Sequence, residues 1–459
     1  MAAQPSDDVS THDTGQEEMS PHAPQAAPLS HSIQEDSTTE TTTQHGTGRS
    51  ENTEMSPREA LEILLRGDEL NRVRVVGLRL KGDFVEPVRM RHVELVNPQI
   101  SKATFASPVE IVGSTIHKLR IERNTEFCDT LVLSGSTISN TTFRNVTVKG
   151  QFRCEGAVFK SRTNFRSCHF GNRLAFWEAD FGGWANFRNC TFEGEVDFRT
   201  IEVAQGMGFE GCTLNGNALF RGAALTKKLD FGSSRVNGLL DLAKAKLHDY
   251  VYLEGIIQGE KQQFAFANAM AERLRIRPEQ IEGRLKSECD ADHAAAMQEY
   301  GLIKRSYEAQ HQYEEDDWAF YRFKVNQRLS REHNWKRPWT VLARTCDRLF
   351  LDLGCGYGTN PTRAVVSAVL IMLLFAAVYA AGSNGFARQH PLLTVEGAGA
   401  GHRLLFGLVT SVSVFTAGFT GDHLHSTNGW MLVPLATEAL MGTLLWGLFI
   451  VAFSRKVIR

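Results

Sequence analysis

Lysine and arginine are almost missing from the first 55 residues, where Arg49 is the only one, and aliphatic residues are nearly as scarce. Such a segment of Ser, Thr, Gln, His and acid cannot bury enough apolar surface to offset the entropy of ordering, so residues 1–55 are expected to form a disordered acidic tail. Its histidines, His12, His22, His31 and His45, are scattered at about ten-residue spacing, as solvated tail residues are and a metal tract is not. The eight cysteines lack paired spacing, which argues against a disulfide framework and for reduced, buried small residues. A net charge of −2 excludes a nucleic-acid binder held by bulk charge. No basic n-region with a cleavage site opens the sequence, so no secretory signal is expected. No acid pair, nucleophile with base, or ligand cluster sits at a telling spacing, so no enzyme activity, cofactor or metal site is expected either. What the 459 residues do offer is length for two or three domains.

From about Ser56 to Gly67, a run with Pro57 near its start and glycine at its end predicts a short helical cap, residues 56–72. A repeat follows. Large apolar residues stand at Phe159, Phe170, Phe181, Phe192, Val203, Leu214, Leu225, Val236 and Leu247, each eleven after the last. A second series, Phe165, Phe176, Phe187, Phe198, Phe209, Phe220, Phe231, Leu242 and Leu253, has the same period, and the two interleave with gaps of six and five. Mostly small residues (Ala157, Cys168, Ala179, Cys190, Ile201, Cys212, Ala223, Ser234, Ala245) precede each member of the first series by two positions. A bulky inward residue every five or six positions, with a small one beside it, fits short straight edges joined by corners around a narrow tube. Two eleven-residue units make a 22-residue square coil. The looser series Phe84, Met90, Leu95, Ile100, Phe105, Ile111, Ile116, Ile121, Phe127 and Val132 carries the spacing back toward Val73. Coils stacked at about 4.8 Å then give roughly eight turns and a rod near 40 Å long.

With Ala179-Asp180-Phe181 and Cys190-Thr191-Phe192 as its closest matches, this stretch resembles the pentapeptide-repeat family in its diverged form, in which Ala-x-Phe or Cys-x-Phe units alternate with x-x-Phe units. The resemblance covers about 180 residues and implies an all-β right-handed quadrilateral β-helix over residues 73–258. It carries no activity with it, since fold does not imply function. Cys168, Cys190 and Cys212, 22 apart, should stack in one column of buried small core residues.

Between about Gln262 and Arg348 the pattern turns helical, without glycine or proline from Leu302 to Arg337, and predicts a long amphipathic linker over residues 259–350. The acidic run Glu314-Glu315-Asp316-Asp317 is read as its solvated face. Two apolar runs close the chain: Ala364 to Ala381, with no charge in 18 residues, and Trp430 to Phe453, with only Glu438 charged in 24. At about 1.5 Å per residue both can cross a hydrocarbon core of roughly 30 Å. The segment between them, Leu404 to Phe419, is 16 residues and marginal. Charge decides its path. Arg328, Arg331, Lys336, Arg337, Arg344, Arg348 and Arg363 crowd the approach to the first span, and Arg455, Lys456 and Arg459 follow the last, while only Arg388 and Arg403 lie between. Positive residues stay cytoplasmic, so both ends lie inside and the middle segment re-enters and leaves on one side. Irregular backbone at that depth needs a wet cavity or a close partner, which a lone two-span chain cannot supply, so oligomerisation is implied.

Residues Leu351-Asp-Leu-Gly-Cys-Gly-Tyr-Gly358 imitate the glycine loop of S-adenosylmethionine-dependent methyltransferases, but a membrane span follows instead of alternating strands and helices. Gly356-Tyr357-Gly358 also mimics a potassium filter on the wrong side of the first span. The better counterpart is Thr416-Ala417-Gly418-Phe419-Thr420-Gly421-Asp422, the letters of a potassium-filter loop with Thr420 inserted between the aromatic and the second glycine. Together with the Gly356-to-Arg363 lead-in and the ending after Glu438 to Gly442, it resembles the two-span pore-loop ion-channel family that is often fused to pentapeptide repeats in bacteria. That resemblance covers about 100 residues, 351–459, and implies a tetramer conducting a monovalent cation. Glu438 is read either as an ion-path group or as a hydrogen-bonded carboxyl backing the pore helix. Gly442 is read either as a gating hinge or as a small residue where helices pack closely.

The expectation is therefore an ion-channel-like protein of a bacterial inner membrane, with both termini cytoplasmic and a cytosolic β-helix for sensing or partner binding. The competing reading is a non-conducting, membrane-anchored scaffold whose β-helix is the working surface. DNA mimicry by the rod would need a strongly acidic surface, whereas residues 140–255 carry both signs in comparable number.

Overall fold

The structure is a computed structural model and describes residues 52–331, 338–383, 386, 399–417 and 429–458. Its larger part is a parallel β-solenoid in which every coil lays short strands on four stacked sides. In one coil these are Val158–Phe159, Thr163–Arg166, His169–Phe170 and Leu174–Ala175, after which Asp180–Phe181 pairs back onto Val158–Phe159. The fourth side forms its own ten-stranded sheet, so there are ten coils rather than eight, with strands running from Thr53 to Arg275. Every member of both eleven-residue series is buried, and so is every small residue two positions earlier. In the looser series Val132 is the exception: it is half-buried, and its neighbours Leu131 and Leu133 point inward instead.

The repeat stacks like on like. Phe165, Phe187, Phe209 and Phe231 lie in one ladder with ring centroids 4.7, 4.9 and 4.8 Å apart and planes within 7°. Ring spacing equals strand spacing, so the backbone ladder and the aromatic ladder enforce the same register. The corners need left-handed backbone, which glycine and asparagine accept most readily. One corner column reads Asn189, Gly211 and Ser233; another reads Glu178, Thr200, Gly222 and Lys244, all at φ between 52° and 74°.

Both ends of the sheet are covered, as an unpaired edge requires. At the first coil sits α1 (Pro57–Leu65), capped by the Ser56 hydroxyl, which accepts from the Glu59 N–H at 3.3 Å, with Ala60 and Leu64 fully buried. After the last coil come two short turns, α2 (Pro278–Ile281) and α3 (Lys286–Cys289), and then α4 (His293–Ala309) and α5 (Tyr313–Ser330). The expected long helical segment is thus a hairpin, broken where His311 adopts φ 59°. Side chains of α4 pair the exposed strand edge: Ser306 Oγ accepts from Leu274 N–H at 2.6 Å, the Tyr307 hydroxyl donates to the Ile276 carbonyl at 2.7 Å, and Glu299 Oε1 accepts from Phe266 N–H at 2.7 Å.

Among the described residues, the α-helices that follow are α6 (Pro338–Cys346), α7 (Pro361–Ala381), α8 (Ala400–Ala417) and α9 (Leu432–Ile458), with the π-helical segment Asp347–Gly354 after α6. Pro361 opens α7, and the Asn360 carboxamide caps it by accepting from Thr362 N–H at 3.0 Å. Among the described residues, two helices are long and apolar enough to cross a membrane, Pro361–Ala381 and Gly429–Val457, and α8 is not one of them.

Candidate membrane site

The three apolar helices meet through glycine. A Cβ on Gly407 of α8 would lie 2.2 Å from the Ala376 carbonyl of α7, and one on Gly442 of α9 would lie 2.6 Å from the Phe415 carbonyl of α8. Only glycine lets these backbones approach so closely. Of the two readings of Gly442, close packing is the one with an observed contact. Gly447, one turn and a half further on, has open space around it.

Beside these contacts lies one fully buried carboxyl. Glu438 Oε2 accepts from the Tyr379 hydroxyl of α7 at 2.6 Å, and Oε1 accepts from the Ser411 hydroxyl of α8. Ser411 Oγ also lies 2.9 Å from the Met372 carbonyl. Glu438 therefore ties all three helices at one point, with Leu435 and Val414 packed against Tyr379. The sequence singled out Glu438 but not its partners; a lone Tyr in the first apolar run, and Ser411 among the serines and threonines of the middle segment, were the available signal.

These contacts also fix relative depth. Met431, at the start of the last helical stretch, lies against Gly382 at the end of α7. Gly407 of α8 sits by Ala376, Ser411 by Met372, and Phe415 by Gly442. Hence α8 starts on the side where α7 ends and α9 begins, runs parallel to α9, and stops beside Gly442, about 15 Å along α9. Phe415 and Thr416 border an apolar cavity of about 200 Å³ with Val365, Val369, Trp446 and Phe449. Thr416 turns its hydroxyl back to the Val412 carbonyl at 2.6 Å, and Ala417 is the last residue of α8. Gly418, Phe419, Thr420, Gly421 and Asp422 lie outside the described residues.

At the opposite end, α5 grips both long apolar helices. Arg455 of α9 lies 3.0 Å from Asp317 and 3.7 Å from Asp316, with its guanidinium 4.3 Å over the Phe320 ring. Arg328 pairs with Asp352 at 2.7 Å and donates to the Tyr357 hydroxyl at 3.0 Å, while Arg363 of α7 stacks on Tyr321. The acidic run is thus not simply a solvated face, because Asp316 is buried against cations, Lys304 among them at 3.5 Å. Gly356-Tyr357-Gly358, at φ 57°, 55° and 78°, turns the chain here from the helical segment Asp347–Gly354 into α7, with Gly358 against Val451.

In the solenoid, the cysteine column holds free thiols directed at carbonyls, Cys190 Sγ at 3.4 Å from Arg188 O and Cys212 Sγ at 3.4 Å from Phe187 O. Contact between neighbouring thiols, together with burial, pushes Cys190 and Cys212 well above an ordinary thiol pKa. They are poor nucleophiles and serve as core.

No curated protein and no solved structure matches the chain. The family described as Pentapeptide repeats (9 copies) matches residues 155–201, the stretch where the aromatic ladders are most regular, so the similarity to a known family lies in the solenoid.

Proposed function

We propose that the chain is a non-enzymatic, channel-like protein of a bacterial inner membrane, with the solenoid and both termini in the cytosol. The observation that carries this reading is the depth of α8: it enters beside the end of α7, stops about 15 Å along α9, and the chain resumes on the side of entry. A helix that stops inside an apolar layer, walled by protein on two sides, has the placement of a pore helix. The loop from Thr416 to Asp422 would then meet those of sister subunits, four by resemblance, around a path for a monovalent cation. Broad exposed apolar faces, among them Leu370, Leu374, Leu440 and Ile450, are available to lipid and to neighbouring copies. A specific observation favours the second reading, a membrane-anchored scaffold that binds a cytosolic protein: Thr420 interrupts the filter letters, and β-branched residues resist the left-handed dihedrals that align its carbonyls.

Purified protein in planar bilayers separates the two. The channel reading expects current that Gly418→Asp abolishes; silence at all voltages assigns the chain to the scaffold. Glu438→Gln keeps a hydrogen-bonding side chain in the tie, so lost current in a folded variant would place the carboxyl on the ion path. A cysteine tag after Arg459 that reacts from the periplasm would sink the topology.

A further inference from the structure

Where α5 meets the membrane helices, a cavity of about 280 Å³ opens between α5, the turn before α7 and the last third of α9. One wall carries Lys324, Arg328 and Arg331, with Asp347 as the carboxylate among the lining residues. The other wall is apolar, made by Leu448 and Val451 of α9. Arg328 is buried and fixed by Asp352 and Tyr357, so its charge is in position before any ligand arrives. Among the described residues, Lys324 donates to the neutral Gln327 carboxamide at 3.0 Å and lies over the Phe320 and Phe323 rings without a carboxylate partner, and Arg331 holds Asp347 at 2.8 Å with much of its side chain exposed. Val451 is 60% exposed and stands one turn before Arg455, at the level where α9 passes from apolar to basic.

A basic wall facing an apolar wall, at the depth where a span leaves the hydrocarbon, suits an amphiphile with an anionic head. We infer that this cavity binds an acidic phospholipid, its phosphate held by Lys324 and Arg331 and an acyl chain lying along Leu448 and Val451. The assignment rests on the membrane reading above. It also gives the junction between solenoid and spans a ligand of its own.

The test uses the full chain in mild detergent, with bound lipid counted by native mass spectrometry during titration with phosphatidylglycerol, phosphatidylcholine or inorganic phosphate. Preference for phosphatidylglycerol is expected, and Lys324→Gln combined with Arg331→Gln should weaken it about thirtyfold, the worth of two cations at a lipid surface. Arg348→Gln removes an exposed cation of the neighbouring turn outside the cavity and should weaken it by less than about threefold. Equal weakening by Arg348→Gln, or no preference over phosphatidylcholine, overturns the site. Displacement of the lipid by inorganic phosphate at matched concentration overturns it too, making it a free-phosphate site. If the double variant elutes as aggregate, Lys324→Gln alone is compared with Arg348→Gln, with about fivefold weakening expected. Failure of the membrane reading shows separately, as release of the protein from membranes by alkaline carbonate.

Discussion

The solenoid and the apolar helices are held together by opposite strategies. In the solenoid each contact is repeated: Phe187 stacks on Phe165 and Phe209, which occupy equivalent positions in the coils on either side. Among α7, α8 and α9 each contact occurs once, and a single carboxyl and two glycines set the geometry. Repetition spreads a defect over neighbours and makes stability a sum of coil and interface contributions. Unique contacts concentrate it, which lets a small change alter the relation of whole helices.

The sharpest way to break this contrast is Phe187→Ala, expected to cost about 3–5 kcal/mol as a core truncation, yet to loosen only neighbouring coils. Hydrogen exchange should then show lost protection near Phe165 to Phe209 with α8 and α9 unaffected; uniform loss along the chain would contradict the repeat picture. Smaller in energy but wider in reach, Gly442→Ala forces a methyl against the Phe415 carbonyl and should cost about 1–3 kcal/mol by overpacking. Gly447→Ala, in open space, should be neutral or slightly stabilising through helix propensity. Similar melting shifts for the two would show that Gly442 acts through flexibility rather than packing.

The smallest effect concerns the cap between the regions. Burial raises the Glu299 carboxyl above the ordinary range, against the bonds from Ser287 and the Phe266 N–H. A carboxyl whose folded pKa is raised contributes stability that is complete below its unfolded value of about 4.3 and is lost as pH rises through the folded value. Melting of the chain should therefore fall across that window in the natural protein and stay flat in Glu299→Gln. A parallel slope in both would remove Glu299 from the account.

How much of this was legible in the sequence follows the same divide. Periodic burial is written in every coil, so the two eleven-residue series named inward residues correctly, and only at Val132, the last member of the looser series, did the reading slip by one. The long apolar helices show themselves by length, and Glu438 by being charged. Tyr379 and Ser411 did not, because a hydroxyl in an apolar run has no preferred partner until the helices are placed. Asp316 was hidden for the same reason: one carboxylate in a run of four looks like its neighbours until Arg455, over a hundred residues away, comes to meet it. His311, ungifted with any turn residue's chemistry, broke a helix that composition had drawn as continuous.

The hairpin that covers the solenoid's last coil has a mechanical corollary. Since α4 is bonded to the final strands while α5 contacts both the beginning of α7 and the terminus of α9, any torque on the rod is delivered to the two long apolar helices together. They form a single driven pair, and a displacement originating in the coils would reach both helices as one concerted movement.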